Sequence, residues 1–138
     1  MNNQTYNQVT LHVGSQGCEF GDDADVTGEI VEENTSCYVT QDSNLGCSYR
    51  DNSSKSYGTG FNEAQGGVFA LLFTSEEIAV WFWSREDVPD TVADSPDTAS
   101  FGTPVARWPK TSCDIDKYFA AQELIFDCTL CGQWAGHE

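Results

Sequence analysis

The alternation of apolar and polar residues along the chain predicts short β-strands and almost no helix. Residues 8–13 alternate polar and apolar side chains, as a half-buried strand does, and residues 26–31 alternate less regularly. The strongest strand predictions are 67–74 and 77–83, which are rich in branched and aromatic residues. Ser75-Glu76 lies between them, so the pair is predicted to form a β-hairpin.

The remaining segments predict connections and two short elements. Residues 42–65 are rich in Gly, Ser and Asn and predict one long irregular connection, and residues 84–109 carry all four prolines and predict a loop. Residues 114–121 predict a short helix capped by Ser112 or Asp114, and residues 123–127 predict a last strand. Together these elements indicate an all-β, antiparallel β-sandwich that forms a single domain over residues 1–138.

Charge and motif content exclude several classes of function. The net charge is −16, from 22 acidic residues against 6 basic ones, so nucleic acid and anionic membranes are not expected as partners. Gly66-Gly67 opens a strand rather than a helix, so no phosphate loop and no cofactor are predicted. Residues 23–28 match the first half of an EF-hand loop, but its last position is Asn34 instead of Glu, so no metal site is predicted.

Cysteine content indicates a disulfide-linked, secreted protein. Only Cys128 and Cys131 form a CxxC pair, and the two histidines are not spaced as zinc ligands. The residues expected in disulfides are Cys18, Cys37, Cys47, Cys113, Cys128 and Cys131. Glycosylation sequons at Asn3, Asn34 and Asn52 agree with an extracellular location. Residues 1–5 lack a leader pattern, so the sequence is expected to be a mature chain or a piece of a longer one.

The aromatic residues suggest either a core or a sugar-binding surface. Trp81 and Trp83 lie two apart on one predicted strand, with Arg85 two residues further, while Trp108 and Trp134 come from other segments. Sugar rings stack on flat aromatic side chains, and an arginine can donate to hydroxyl groups. The alternative is that these rings fill the interior of a small sandwich, and the sequence leaves both interpretations open.

Six segments, in this order, resemble the fungal family-16 glycoside hydrolases, which are laminarinase-like and mixed-linkage β-glucanases. They are residues 2–12 followed by Gly17-Cys18, 67–71 (GVFAL), 78–85 (IAVWFWSR), 101–104 (FGTP), 112–116 (SCDID) and 126–136 (FDCTLCGQWAG). The resemblance implies part of a β-jelly roll, two curved antiparallel sheets with a glucan cleft on the concave face. It places the start of this chain just after the family's catalytic Glu-Ile-Asp-Ile-Ile-Glu-like motif, as in a truncated C-terminal half.

The same resemblance implies roles for individual residues. His12 is expected beside the acid/base position, and a second set is expected to line or support the cleft. That set is Trp81, Trp83, Arg85, Trp108 and Trp134. Cys128 stands where the family has a Thr-like residue, which suggests a replacement for a cysteine partner in the missing half.

Three functions follow as hypotheses. The first is a non-catalytic, truncated relative of a secreted β-glucanase that binds β-glucan weakly. The second is a secreted non-enzymatic protein that acts on a protein receptor, as an effector, an immunomodulator or a taste-active protein. The third is a fragment of an active endo-β-1,3(4)-glucanase. Exposed sheet edges also predict a homodimer.

Overall fold

The computed structural model describes residues 5–21, 25–31, 35–94 and 97–128, and within these ranges it forms two three-stranded antiparallel sheets. The strands are β1 Asn7–Leu11, β2 Glu29–Ile30, β3 Cys47–Asp51, β4 Gly67–Phe73, β5 Glu77–Ser84 and β6 Ala106–Pro109. The first sheet has the order β1-β3-β2 and the second β4-β5-β6. The helices are α1 Gly58–Glu63, α2 Thr91–Asp94 and α3 Ile115–Tyr118, with a 3-10 turn at Thr98–Ser100. The antiparallel β-sandwich is confirmed.

The central strand of the first sheet lies inside the segment that was predicted to be irregular. β3 pairs with β1 on one side, from Asn7 opposite Asp51 to Leu11 opposite Cys47, and with β2 on the other. The prediction of one long loop over 42–65 was therefore wrong, and α1 lies in the same segment. β3 has the sequence CSYRD, in which Tyr49 favours a strand and Asp51 does not, and its conformation is stabilised by the strands that flank it on both sides.

The second sheet confirms the predicted hairpin and adds a strand to it. β4 and β5 pair over their whole length, from Gly67 opposite Ser84 to Phe73 opposite Ile78. β6 pairs with β5 at residues that were predicted to lie in a loop, so the loop assignment over 84–109 was wrong at its end. That prediction took Pro109 as a sign of a loop, but proline is tolerated at the end of an edge strand.

The main core lies between the two sheets. Tyr49 from β3 packs edge-to-face against Trp108 from β6, with 5.2 Å between ring centroids, and against Phe20 at 4.9 Å. Ile115 at the start of α3 is buried in the same cluster. Edge-to-face pairs add to the hydrophobic burial, so this aromatic contact joins the two sheets.

Two disulfides border this core, and all four of their cysteines are fully buried. They join Cys18 to Cys113, 95 residues apart, and Cys37 to Cys47, 10 residues apart. Cys128 is exposed and forms no disulfide with any cysteine in the described ranges. Cys131 lies outside those ranges, so a third bridge stays a prediction.

The last described segment differs from the prediction. α3 is shorter than the predicted helix, with Asp114 rather than Ser112 at the N-cap and the extended residue Phe119 at its end. Residues 123–127 form no strand, so that prediction was wrong. Their apolar side chains are exposed, with Phe126 at 90%, because no described strand pairs with them. No helix in the described part of the chain is long and apolar enough to cross a bilayer.

Candidate functional site

The outward surface of the first sheet is a polar face, formed by side chains from three strands. Its members on the paired strands are Gln8, Thr10, Glu29, Ser48 and Arg50. The exposed His12 follows β1 directly and continues the same alternation. The alternating residues of the same strands, such as Val9 and Leu11, belong to the core between the sheets. Since side chains on a strand alternate between faces, the polar residues point away from that core.

Arg50 is held in place on this face by two neighbours. Its guanidinium forms an ion pair with Glu29 and lies over the ring of Tyr6, with 5.2 Å to the ring centroid. The side chain of Arg50 is still 42% exposed. A guanidinium carries five N–H donors, so an arginine held by one carboxylate and one ring retains donors for a ligand.

A row of hydrogen bonds continues across the face. Thr10 and Ser48, opposite each other on β1 and β3, share a hydrogen bond of 2.8 Å between their hydroxyl oxygens. The Gln8 amide donates to the Thr10 hydroxyl at 3.2 Å. Ser48 is only 4% exposed, so Thr10 and Gln8 are the members of this row that solvent reaches. An amide and a hydroxyl group can each donate to or accept from a sugar hydroxyl.

His12 lies at the end of this row, next to a glycine. It is exposed, and its Nε2 lies 3.3 Å from the carbonyl oxygen of Leu45. Gly46 has φ +66°, and a Cβ added there would lie 2.0 Å from His12 Cδ2. Only glycine leaves room for the imidazole at this turn. Sequence reasoning selected His12 and missed Gly46.

The predicted tryptophans of β5 lie elsewhere, on the outward face of the second sheet. Trp81 is 6% exposed, donates its indole N–H to the Gly102 carbonyl at 2.9 Å and packs on Phe101. Trp83 is half-buried and packs on the same ring at 5.1 Å. The segment around Phe101 thus covers both indoles, and neither lies on the polar face.

Two further predicted site residues, Trp108 and Arg85, also lie away from the polar face. Trp108 is 1% exposed in the core between the sheets. Arg85 follows β5 and donates to the Gln65 carbonyl at 3.4 Å, and Trp134 lies outside the described residues. The described members of the predicted set therefore do not come together in one site, and the role of the whole set in carbohydrate binding stays a prediction.

The glycosylation candidates are described only in part. Asn52 is exposed just after β3, and its amide donates to the Thr27 carbonyl at 3.5 Å. Asn3 and Asn34 lie outside the described residues. Glycosylation of all three stays a prediction.

The clearest electrostatic shift in the interior lies away from the polar face. Burial raises the pKa of Tyr49, whose hydroxyl donates to the Arg107 carbonyl at 3.2 Å. Tyr49 is a core residue, so this shift reflects packing and not an acid or base ready for catalysis. In the described ranges no three His, Cys, Asp or Glu side chains come together as a metal site would require.

Comparison with known sequences gives one family. The sequence model of the XgeA-like, catalytic GH16 domain matches residues 1–138. The chain is 46% identical over 136 residues to a probable glycosidase of Schizosaccharomyces pombe, covering 96% of this chain and 32% of that protein. It is 38% identical to an endo-1,3(4)-β-glucanase of Arthroderma benhamiae, covering 98% of this chain and 30% of the relative. The chain thus spans about a third of these relatives' length.

Solved structures of the same fold agree. A GH16 β-1,3-glucosyltransferase described as elongating superposes with a TM-score of 0.85 at 40% identity, covering 98% of this chain and 44% of the other. Laminarinase 16A from Phanerochaete chrysosporium, solved with two β-glucans (6-O-glucosyl-laminaritriose) in its donor and acceptor sites, gives 0.87 at 37% identity. That match covers 99% of this chain and 46% of the laminarinase.

Proposed function

The chain belongs to the XgeA-like GH16 family, and we propose from this premise that it binds β-1,3(4)-glucan through its polar face without hydrolysing the polymer by itself. The main supporting observation is Arg50, which is held by Glu29 and Tyr6 and lies on the same face as the exposed hydroxyl of Thr10. The Thr10 hydroxyl is in turn held by the buried hydroxyl of Ser48, which is 4% exposed. A fixed guanidinium donor beside a fixed hydroxyl can bind sugar hydroxyls with little loss of side-chain entropy.

The proposed ligand class, β-1,3(4)-glucan, is supported by the names and bound ligands of the relatives. Two of them are named endo-1,3(4)-β-glucanases, from Arthroderma benhamiae and Emericella nidulans. The laminarinase structure holds β-glucans in donor and acceptor sites. An uncharged glucan also suits a protein with a net charge of −16, because its binding does not depend on attracting an anion.

The absence of hydrolysis is inferred from the carboxylates of this sequence. Retaining glycosidases need two carboxyl groups about 5 Å apart, one as nucleophile and one as acid. No Glu in residues 1–138 is followed by Asp two positions later and by Glu beyond it, as in the motif of the family. On the polar face, Glu29 is already engaged by Arg50.

A second candidate function applies if the segment acts within a longer polypeptide. The chain spans 30% of the Arthroderma benhamiae endo-1,3(4)-β-glucanase. In such a protein the polar face would hold the glucan while carboxylates from the rest of the domain cleave it. The receptor-directed role has no observation in its favour and stays a prediction. Secretion is likewise a proposal, supported by the two buried disulfides.

The test measures laminarin and lichenan binding and reducing-end release by the purified chain. Binding without release is expected, and Arg50→Ala is expected to weaken binding by about ten-fold or more, as loss of a charged hydrogen bond does. Lys110→Ala is the matched control, because it removes an exposed ion pair with Glu76 on the second sheet. Reducing-end release above the buffer background would contradict the proposal that the chain does not hydrolyse glucan. If the chain folds cooperatively but binds neither laminarin nor lichenan, the result would contradict the proposed glucan binding and favour a protein partner.

A further inference from the structure

We propose that a cavity on the outward face of the second sheet binds an uncharged sugar ring, at a site separate from the polar face. The cavity has a volume of about 450 Å³ and is called the Arg107 pocket here. Small-molecule sites have volumes of roughly 300–1,000 Å³, so the pocket has room for a small ligand. The residues that line it and carry the argument are Glu77, Ala79 and Trp81 from β5, Arg107 from β6, Asp25, and parts of the 98–104 segment.

The small side chain of Ala79 leaves space for the pocket. Glu77, Ala79 and Trp81 alternate along β5 with residues of the main core, such as Val80. Side chains on a strand alternate between faces, so these three point outward. Ala79 lies opposite Arg107 in the register of β5 and β6. Because alanine ends at its Cβ, it leaves a depression among the longer side chains of its neighbours.

The wall of the pocket formed by residues 98–104 is held in place by two hydrogen bonds. The Trp81 indole N–H donates to the Gly102 carbonyl at 2.9 Å. The Thr27 backbone N–H donates to the Pro104 carbonyl at 2.8 Å, which joins this wall to the segment that carries Asp25. A ligand would therefore enter a pocket that is formed in advance, which reduces the entropy lost on binding.

Arg107 offers hydrogen-bond donors to the pocket. Its Nε donates to Glu77 Oε2, and its side chain is still 39% exposed. A guanidinium carries five N–H groups, and the Arg107 side chain forms no other hydrogen bond within the described ranges. The ion pair with Glu77 thus orients the guanidinium and leaves its Nη groups for a ligand.

The charges in the Arg107 pocket favour an uncharged ligand. A carboxylate or phosphate on Arg107 would share the pocket with the carboxylates of Glu77 and Asp25, in a protein of net charge −16. A cation would meet the guanidinium of Arg107 instead. A neutral hydroxyl group avoids both repulsions, because it accepts from an arginine and donates to a carboxylate.

The apolar part of the pocket favours a ring among the ligands that carry hydroxyl groups. Ala79, Trp81 and Pro104 are buried, whereas Asp25 and Thr103 are exposed. The pocket therefore combines an apolar interior with a polar rim, as small-molecule sites do. A pyranose ring has apolar C–H faces and hydroxyl groups around its edge, so it matches both parts.

The experiment titrates the isotope-labelled chain with laminaritriose and follows the N–H signals of the Trp81 indole and of Arg107 Nε by NMR. Both signals are expected to shift and to saturate. The Trp81 signal should follow the same titration curve in Arg50→Ala, in which the polar face has lost its guanidinium donor.

A pair of matched variants tests the arginine. Arg107→Gln is expected to weaken the affinity measured at the Trp81 indole by at least about ten-fold, because it removes a charged hydrogen-bond donor. Lys110→Gln is the control, since Lys110 forms an exposed ion pair with Glu76 and does not line the pocket. The titration of the unmodified chain decides the proposal by itself if Arg107→Gln fails to fold.

Four results would overturn the proposal. Unshifted signals in the unmodified chain would mean that the pocket takes no sugar. Loss of the Trp81 shift in Arg50→Ala would assign that shift to the polar face. Equal affinity of Arg107→Gln and Lys110→Gln would show that Arg107 is not the donor. Saturable shifts with sodium acetate or calcium chloride, and none with laminaritriose, would assign the pocket to a charged ligand.

The two sites can fail separately. If the Trp81 signal shifts as expected while Arg50→Ala leaves laminarin binding unchanged, the polar face is not the glucan site and the Arg107 pocket stands. If Arg50→Ala abolishes laminarin binding and the Trp81 signal never shifts, only the Arg107 pocket is contradicted.

Discussion

Trp108 donates its indole N–H to the sulfur of Cys47 at 3.1 Å, in the centre of the core. This contact joins β6 of the second sheet to the Cys37–Cys47 disulfide at the start of β3. Sulfur is a weak acceptor, so the main effect of the indole is the volume that it fills between the sheets. Trp108 is thus a structural residue, although the sequence also allowed it to face a glucan.

Replacement of this indole should destabilise the protein strongly. Trp108→Ala is expected to lower the free energy of unfolding by about 3–5 kcal/mol, because it leaves a large cavity in a packed core. Urea denaturation measures the change. Trp83→Ala, at a half-buried position, is the control and should cost clearly less. A folded Trp108→Ala variant with unchanged stability and no glucan binding would contradict the structural role.

The two disulfides should differ in their contribution to stability. In the loop-entropy treatment, the 95-residue separation of Cys18 and Cys113 gives about 4.7 kcal/mol, and the 10-residue separation of Cys37 and Cys47 gives about 2.7 kcal/mol. Replacing the first pair by alanine should therefore cost about 2 kcal/mol more than replacing the second. Thermal unfolding of the two double variants measures the difference, and equal losses would contradict the loop-length argument.

Local sequence patterns predicted the hairpin and missed the strands that depend on tertiary packing. β4 and β5 have the branched and aromatic residues of strands and a short turn between them. β3 has only Tyr49 as such a residue, and its strand conformation is stabilised by pairing on both sides. Residues 123–127 have the signal without any described partner, so a correct local propensity produced no strand.

The candidate site was likewise predicted only in part, because its composition depends on tertiary packing. His12 was selected through a family resemblance and lies on the polar face. Arg50, Thr10 and Ser48 were missed, since only the strand register shows that they share a face. The signal available in the sequence was the alternation of residues 8–13, whose polar positions predicted an exposed face. The spacing of Trp81 and Trp83 showed that they share a face, but not that Phe101 packs on both of them.

Alkaline pH should destabilise the protein through Tyr49. Burial raises the pKa of this phenol above its ordinary value of 10.0, so above pH 10 the folded state binds more protons than the unfolded state. Stability from this group is then fully present below pH 10 and lost as pH rises further. Tyr49→Phe removes the phenol and should flatten the decline above pH 10, measured by urea denaturation at each pH.

The same variant has an expected cost at neutral pH. Tyr49→Phe removes the hydrogen bond to the Arg107 carbonyl and should lower the free energy of unfolding by about 0.5–1.5 kcal/mol. Tyr57→Phe, at a half-buried position after β3, is a control that should keep the alkaline decline. Identical pH dependence of the original protein and of Tyr49→Phe would show that Tyr49 is not the cause.

Gly46→Ala should displace His12 and change both stability and binding. The added Cβ would lie 2.0 Å from His12 Cδ2 and 2.6 Å from the Leu11 carbonyl, in a backbone with φ +66°. We expect a loss of about 1–3 kcal/mol in unfolding free energy, since the position is both strained and crowded. If the polar face binds glucan, laminarin affinity should fall as well, because His12 must leave its place beside Leu45. Gly14→Ala is the matched control, with open space around its Cβ, and should leave both quantities unchanged. A Gly46→Ala variant as stable as Gly14→Ala, with unshifted His12 ring signals in NMR spectra, would show that the glycine does not position the histidine.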